Sequence, residues 1–340
     1  MKFIFLISFI FVSYSVQSQE TFQIKIVPNP AKKMVDVLVD NQLFTSYIYP
    51  DEIKKPVLWP VISPGGNEIT RSYPLKSVPG ERVDHPHHVG IWFNYGNVNG
   101  LDFWNNSNAI TMEKRSGYGT IFHQKVIGTK SGEKGLLVTS SLWKDYTGKT
   151  LLEETTEFNF MATDDLRIID RTTVLKAVTD KVNFTDNKEG MFAIRVAREL
   201  ELPTDEELRL SDDHGNITTV TAPDNSVVTG NYLSSEGISG EEVWGTRAIW
   251  MKLSGEIKGE KLAIIIFDHP ENPGYPTHWH ARGYGLFAAN TLGQKVFSEG
   301  KIEMNFALNK GESVTFRYRV AIYSRDPSSE EIEELLNSFE

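Results

Sequence analysis

Six of the eight histidines fall in two short stretches, Asp84-His85-Pro86-His87-His88 and Asp268-His269-Pro270 running on to His278-Trp279-His280. Imidazole gives and takes protons near neutrality, so this clustering points first to acid-base chemistry on a sugar hydroxyl or on a carbon beside a carbonyl. In an extended chain alternate residues share a face, which makes His85 with His87, and His278 with His280, the same-face pairs. The prolines favour extension at His85 and His269, because a residue before proline avoids the helical region. His87, His88, His278 and His280 are the candidate proton carriers, with Glu189 as a catalytic carboxylate. His85 and His269 are placed as substrate contacts, together with Asn272 just beyond the second triplet.

Two other readings use the same residues. Three or four imidazoles with Asp84, Glu189 or Asp268 would suffice for a divalent metal, yet the spacing matches no zinc helix motif such as H-E-x-x-H, and no cofactor is firmly implied. Alternatively the histidines are hydrogen-bonded fixtures of loops.

Around them lie groups suited to binding. Glu189 and Arg195, six residues apart, share a face if the strand between them is unbroken, and would either orient a sugar together or form a salt bridge across the sheet. Asn94 and Asp102 offer hydrogen bonds to hydroxyls, or else serve the turns of a Gly/Asn-rich loop. Trp104 and Trp279 are the preferred aromatic platforms for the C–H face of a sugar ring, while Trp92, Trp59, Trp143 and Trp250 read as core. Arg282 is either a further substrate contact or a surface charge.

The elements that must position these residues are mostly strands. Long segments alternate β-branched and aromatic residues with polar ones and are separated by Gly, Asn, Asp and Pro clusters. In Val314 to Ile322, the side chains of Val314, Phe316, Tyr318, Val320 and Ile322 point one way while Thr315, Arg317 and Arg319 point the other. Leu136 to Trp143, Leu151 to Met161, Leu166 to Val178 and Leu262 to Phe267 fit the same pattern. Tyr146-Thr147-Gly148-Lys149 and Lys258-Gly259-Glu260-Lys261 are the expected hairpin turns. Only the C-terminus is helical in pattern, with a hydroxyl cap and an acidic first turn at Ser328 to Glu331 before Ile332, Leu335 and Leu336. The expected fold class is mainly β, a large antiparallel two-sheet sandwich with a short C-terminal helix. Its long connections, Ser63 to His88, Asn94 to Tyr118, Pro203 to Trp244 and Asp268 to Tyr284, are the functional ones.

Composition sets the surroundings. Met1-Lys2, an apolar run from Phe3 to Val12 and Val16-Gln17-Ser18 read as a secretory signal peptide over residues 1–18, leaving a single β-sandwich domain over 19–340 and a periplasmic or secreted product. The apolar run is too short to span a bilayer, and no second hydrophobic segment of spanning length follows. There is no cysteine, so neither a lipoprotein anchor nor a disulfide is available. A net charge of −10 without a clustered basic patch argues against nucleic acid as a partner. The expected partner is a small-molecule or oligosaccharide substrate.

The run Asp84 to Phe93, followed by Val98-Asn99-Gly100-Leu101-Asp102-Phe103-Trp104, resembles the bacterial family labelled methane oxygenase PmoA. The blocks Lys188 to Ala197 and Phe267-Asp268-His269-Pro270-Glu271-Asn272-Pro273 through Trp279-His280 are similar to that family too. The resemblance covers most of the mature chain. It implies a sandwich similar to the galactose mutarotase superfamily (a supersandwich) and a sugar ligand. Methane oxidation is the reading the sequence supports least, because a membrane-integral subunit would need spanning helices. The sequence thus points to an exported carbohydrate-active protein that performs a hydrolase, lyase or epimerase step by acid-base catalysis on a sugar or sugar acid. A non-catalytic carbohydrate-binding protein and a metal-dependent enzyme are the alternatives.

Overall fold

The computed structural model describes residues 22–339 and holds twenty strands among them, some alternating between buried and more open side chains, as over 135–144, and others buried on both faces, as over 286–290. The expected signal segment, 1–18, lies outside the described residues. In chain order the first strands are β1 (Ile24–Asn29), β2 (Met34–Val39), β3 (Gln42–Ile48), β4 (Val57–Val61) and β5 (Ile91–Phe93). Then come β6 (Thr120–Lys130), β7 (Gly135–Lys144), β8 (Thr150–Ala162), β9 (Leu166–Ala177), β10 (Lys181–Phe184) and β11 (Phe192–Arg195). They are followed by β12 (Leu208–Ser211), β13 (Ile217–Val220), β14 (Asn231–Ser234), β15 (Trp250–Ile257) and β16 (Glu260–Asp268). The last are β17 (His278–Arg282), β18 (Leu286–Asn290), β19 (Phe306–Asn309) and β20 (Ser313–Tyr323), before one helix, α1 (Ser329–Asn337). Among the described residues no helix is long and apolar enough to cross a membrane.

Two antiparallel eight-stranded sheets result, in the orders β1-β2-β3-β4-β5-β11-β18-β17 and β14-β15-β16-β20-β9-β8-β7-β6. Their inner faces meet in one hydrophobic cluster. Ile91, Phe93, Phe192, Ile194, Phe287 and Ala289 come from the first sheet, and Ile264, Ile266, Phe316, Tyr318, Val320 and Ile322 from the second. Phe192 stacks on Tyr318 with ring centroids 4.8 Å apart and planes within 7°, joining the centres of the two sheets. The five strands expected from alternation coincide with β7, β8, β9, β16 and β20 to within two residues at each end. The fold is therefore mainly β, a two-sheet antiparallel sandwich with a short C-terminal helix.

That helix begins at a capping box in which Ser328 and Glu331 bond reciprocally. Its Ile332, Leu335 and Leu336 cover Ala263, Ile265, Phe267, Ala321 and Tyr323 on the outer face of the second sheet. Arg319 fixes its far end, donating to the Leu335 carbonyl at 2.7 Å and pairing with both oxygens of Asp170.

The outer face of the first sheet is left for other uses. There Ala193 on β11 stands opposite Trp92 on β5 and Ala288 on β18, and Ala288 stands opposite His280 on β17. Two alanines in the middle of this row leave room for the long loops to fold onto the sheet.

Truncating the inner-face stack tests which contact joins the sheets. Phe192→Ala is expected to destabilise the protein by about 3–5 kcal/mol through the cavity it leaves, read as a lower urea midpoint at unchanged slope.

Candidate functional site

The first histidine stretch is a turn. His85 has a left-handed φ of +40°, and the His88 N–H donates to the His85 carbonyl at 2.9 Å. The extended course expected at His85 is therefore not adopted, and His85 and His87 are not a same-face strand pair. The cause is Arg71, fully buried, whose Nη2 donates to the carbonyls of His85 and His88, both at 3.0 Å. One guanidinium can satisfy both carbonyls only if the chain between them folds back.

The rings then pack on one another. Tyr284, His85, His88 and Trp92 form a column with successive centroid distances of 5.0, 4.9 and 5.2 Å. His87 meets both His85 and His88 edge-on. His88 is buried and its Nδ1 faces Arg195 Nη1 at 3.5 Å. Burial and the neighbouring His87 and Arg195 push His88 well below the usual imidazole range. Burial and the Lys55 charge lower His87 to about 2. His85 alone of the three is open, with 41% of its side chain exposed and Nδ1 3.3 Å from Asp84 Oδ1.

Asp84 is the anion at the centre of this arrangement. Its Oδ1 accepts from Arg71 Nη1 at 2.5 Å and Arg195 Nη2 at 2.8 Å. Burial opposes ionisation, but the His85 hydrogen bond and the Arg195 and Arg71 charges outweigh it and hold the carboxyl well below the usual range. Arg82 lies 3.8 Å from Asp84 Oδ2 and 3.0 Å from Glu201, whose other oxygen is 3.7 Å from Arg195. Arg195 therefore pairs with Asp84 and Glu201, and the expected partnership with Glu189 is not formed. The strand holding Arg195 starts only at Phe192, and Glu189 sits in the loop before it, its N–H donating to Asn187 Oδ1. With no exposed surface, Arg195 contacts no substrate directly.

The second stretch divides. His278 and His280 do share a face of β17, as alternation requires. His280 Nδ1 bonds the Lys188 carbonyl at 2.9 Å, and His278 Nδ1 bonds the Gly245 carbonyl at 2.9 Å. A carbonyl only accepts, so in both rings the proton is on Nδ1 and Nε2 carries the lone pair. Glu189 Oε2 lies 3.8 Å from His280 Nδ1, and burial lowers His280 to about 4 against the raising effect of that carboxylate. His278 is stacked on Phe297 and its Nε2 is buried, which leaves His280 as the ring that reaches Trp244, at 6.4 Å.

The triplet Asp268-His269-Pro270 stays on the other sheet, at the end of β16. Asp268 accepts from Asn272 Nδ2 and the Thr277 N–H, and burial raises its carboxyl to about 7. Asn272 also bonds the Arg317 backbone in both directions, and His269 packs edge-on against Phe339 beyond α1. His269 and Asn272 thus build the turn that carries the chain between the sheets and do not join the site. The repeated triplet marks two different structures.

Several other candidates are fixtures. Trp279 points into the core, between His278 and His280 in sequence but on the opposite face, and its Nε1 donates to the Ala248 carbonyl. Trp104 is fully buried against Trp92 and His88, so neither tryptophan is a platform. Asn94 is buried and donates to the Phe103 carbonyl at 2.6 Å. Asp102 accepts from the Trp104 and Asn105 N–H groups, which is turn chemistry.

The sequence reading missed Arg71, Arg82, Glu201, Lys55, Tyr284 and Trp244. Arg282 lies over the rings of Trp244 (5.5 Å) and Tyr284 (6.0 Å), beside a cleft of about 500 Å³ also lined by Arg82, Asn225 and Glu241. The alternation Arg282, Tyr284 just after His280 was a usable signal for this face. Lys55 gave none: it is buried, donates to the His87 carbonyl at 2.6 Å, lies over Trp92 and is lowered by burial to about 7. Among the described residues no three His, Asp or Glu side chains are arranged to hold a metal ion.

A two-sheet antiparallel sandwich with a polar, aromatic-flanked cleft beside its first sheet is the class these observations define. Residues 34–337 match the family of unknown function DUF6807, and the chain belongs to that family. No curated protein matches it significantly. Among solved structures it is similar to the galactosidase domain of the alpha-galactosidase-sucrose kinase AgaSK (9% identity, TM-score 0.41, 88% of this chain and 41% of that one). It is also similar to a beta-arabinopyranosidase (10% identity, TM-score 0.36, 87% of this chain and 40% of that one). A galactose mutarotase-like protein from Clostridium acetobutylicum matches over 89% of this chain and 99% of its own, at 10% identity and a TM-score of 0.38. The chain spans about two-fifths of the length of the first two.

Two outcomes check the ionic centre. Asp84→Asn leaves Arg71 and Arg195 without their shared carboxylate and is expected to cost about 3–5 kcal/mol of stability by urea unfolding. Because His87 and His280 have depressed values of about 2 and about 4 in the folded state, their contribution is fully present above the unfolded imidazole value and lost as pH falls through the folded ones. The melting temperature should therefore fall steadily below about pH 6.5, and His87→Asn should flatten that decline.

Proposed function

We propose that the protein is exported, binds a sugar or sugar acid in the Trp244–Arg282–Tyr284 cleft and catalyses a proton transfer on it, with His85 and His280 as the acid-base pair. One observation carries this reading. His85 and His280 each have Nδ1 engaged, by Asp84 and by the Lys188 carbonyl, and between them runs the row Tyr284, Arg282, Trp244. An Nδ1–H tied to an acceptor leaves Nε2 as the base, and a neighbouring carboxylate stabilises the imidazolium that forms. Asp84 serves His85 in this way, and Glu189 serves His280.

A C–H proton beside a carbonyl passes to one Nε2, and its electron pair moves onto the carbonyl oxygen. Tyr284, pushed up to about 12 chiefly by burial, stays protonated and donates to that oxygen, with the Arg282 guanidinium beside it. The second imidazole, protonated, returns a proton to the carbon, which gives an epimerase step; loss of a leaving group from the neighbouring carbon gives a lyase step instead. The flat face of the sugar rests on Trp244. A two-carboxylate glycosidase is less well supported, since Asp84 is held by two guanidiniums. The assignment moves the proton work from His87, which is lowered to about 2, and from His88 and His278, whose Nε2 atoms are enclosed, to His85, which keeps an exposed edge, and His280, which meets Trp244 edge-on. It also agrees with the sugar ligand that the sequence resemblance implies.

The test is solvent-deuterium incorporation into a panel of aldoses, ketoses and uronic acids, followed by NMR. His85→Gln and His280→Gln should each lower exchange by roughly 10²–10⁴-fold with ligand affinity retained. Arg282→Ala and Trp244→Ala should instead weaken binding. Binding without exchange or turnover on any substrate would establish the non-catalytic, carbohydrate-binding reading.

A further inference from the structure

Another cavity lies elsewhere. A groove of about 590 Å³ lies between the connection from Tyr49 to Pro56 and β6, the terminal strand of the second sheet. The Ile121 N–H, donating to the Lys54 carbonyl at 2.9 Å, ties its two walls together. None of the groups assigned to proton transfer lines it.

Its charge is opposite to that of the whole. The chain carries −10, yet the groove is lined by Lys33, Lys54, Lys55 and Lys125 against a single acid, Asp51. Asp51 is taken by Lys33 at 2.5 Å and Lys55 by the His87 carbonyl, whereas Lys54 and Lys125 form no ion pair among the described residues. Ring surface accompanies the charge. Tyr49 and His123 stack at 3.8 Å, His123 is fixed by the Tyr47 hydroxyl at 3.0 Å, and Phe122 next to it is 46% exposed.

We infer that this groove is a binding site for an acidic oligosaccharide, separate from the cleft, with Lys54 and Lys125 meeting carboxylates of successive sugars and the Tyr49–His123 wall packing against a sugar face. Two unpaired ammonium groups on opposite walls suit an extended ligand with repeated anionic groups. An aromatic wall adds attraction for the C–H face of a pyranose that a small inorganic anion lacks. The inference does not rest on the proposed proton transfer.

The experiment is calorimetric titration of the full chain with tetragalacturonate, with neutral cellotetraose, hexaglutamate and sodium sulfate as comparisons. Tetragalacturonate should bind, and more weakly as salt rises. The double variant Lys54→Glu/Lys125→Glu should weaken it by at least about tenfold. Tyr49→Ala should weaken it too, while deuterium exchange at the cleft stays as in the wild type for both variants and the melting temperature stays so for Lys54→Glu/Lys125→Glu. Absence of binding, equal affinity for cellotetraose or hexaglutamate, full competition by sulfate at the same concentration, or affinity unchanged in the double variant would overturn the site. Weaker binding by Arg282→Ala with no effect of Lys54→Glu/Lys125→Glu would place the acidic ligand in the cleft and overturn it as well.

Discussion

The ion cluster of Arg71, Asp84 and Arg195 is the contact on which the site depends. Arg71 holds one oxygen of Asp84 and the carbonyls of His85 and His88, so a single buried guanidinium sets the shape of the turn. Arg195 reaches the same oxygen from the sheet, fixing the turn to β11. Three guanidiniums and two carboxylates leave this interior one positive charge in excess, counting Arg82 and Glu201. Buried imidazoles beside such an excess stay neutral. The cluster therefore separates adjacent histidines: His88 is enclosed within the column, whereas His85, stacked between Tyr284 and His88, keeps an exposed edge and has its Nδ1 beside Asp84.

The sandwich supplies the platform that makes this arrangement rigid. Its inner faces are filled with aromatic and branched side chains, while the outer face of β5, β11, β18 and β17 presents Trp92, Ala193, Ala288 and His280 in one row. Bulk at the row's ends and alanine at its centre let the loop around Trp104 fold down onto the sheet. Residues from connections far apart in sequence, Arg82, Asn225, Trp244 and Tyr284 among them, then line the same cleft. The second sheet spends its outer face on α1, so the two faces of the sandwich have different roles.

Much of the fold was legible from local pattern. Period-two alternation located β7, β8, β9, β16 and β20, and a hydroxyl cap with an acidic first turn before Ile332, Leu335 and Leu336 located α1, because these signals are set within a few residues. The site was legible as a region and not as roles. The histidine count led to the turn at 85–88 and to β17, but proline suggested an extended chain where Arg71 holds a left-handed residue. The echo of Asp-His-Pro suggested two matching rims, whereas the second triplet is held by Asn272 and Thr277 at the end of β16.

By itself, the sequence determined which residue types were available, where strands run and on which face of a strand each side chain falls, since backbone geometry enforces alternation whatever the surroundings. Only the tertiary structure decided which of those side chains meet water. Trp279 and His280 are neighbours in sequence, yet one enters the core between the sheets and the other lies on the opposite face, edge-on to Trp244. His87, His88 and His85 are chemically identical, yet burial and adjacent guanidiniums separate them. Proton affinity and access depend on desolvation and on charges brought in from β11, from the connection before β4 and from Arg71, and those distances exist only once the chain has folded.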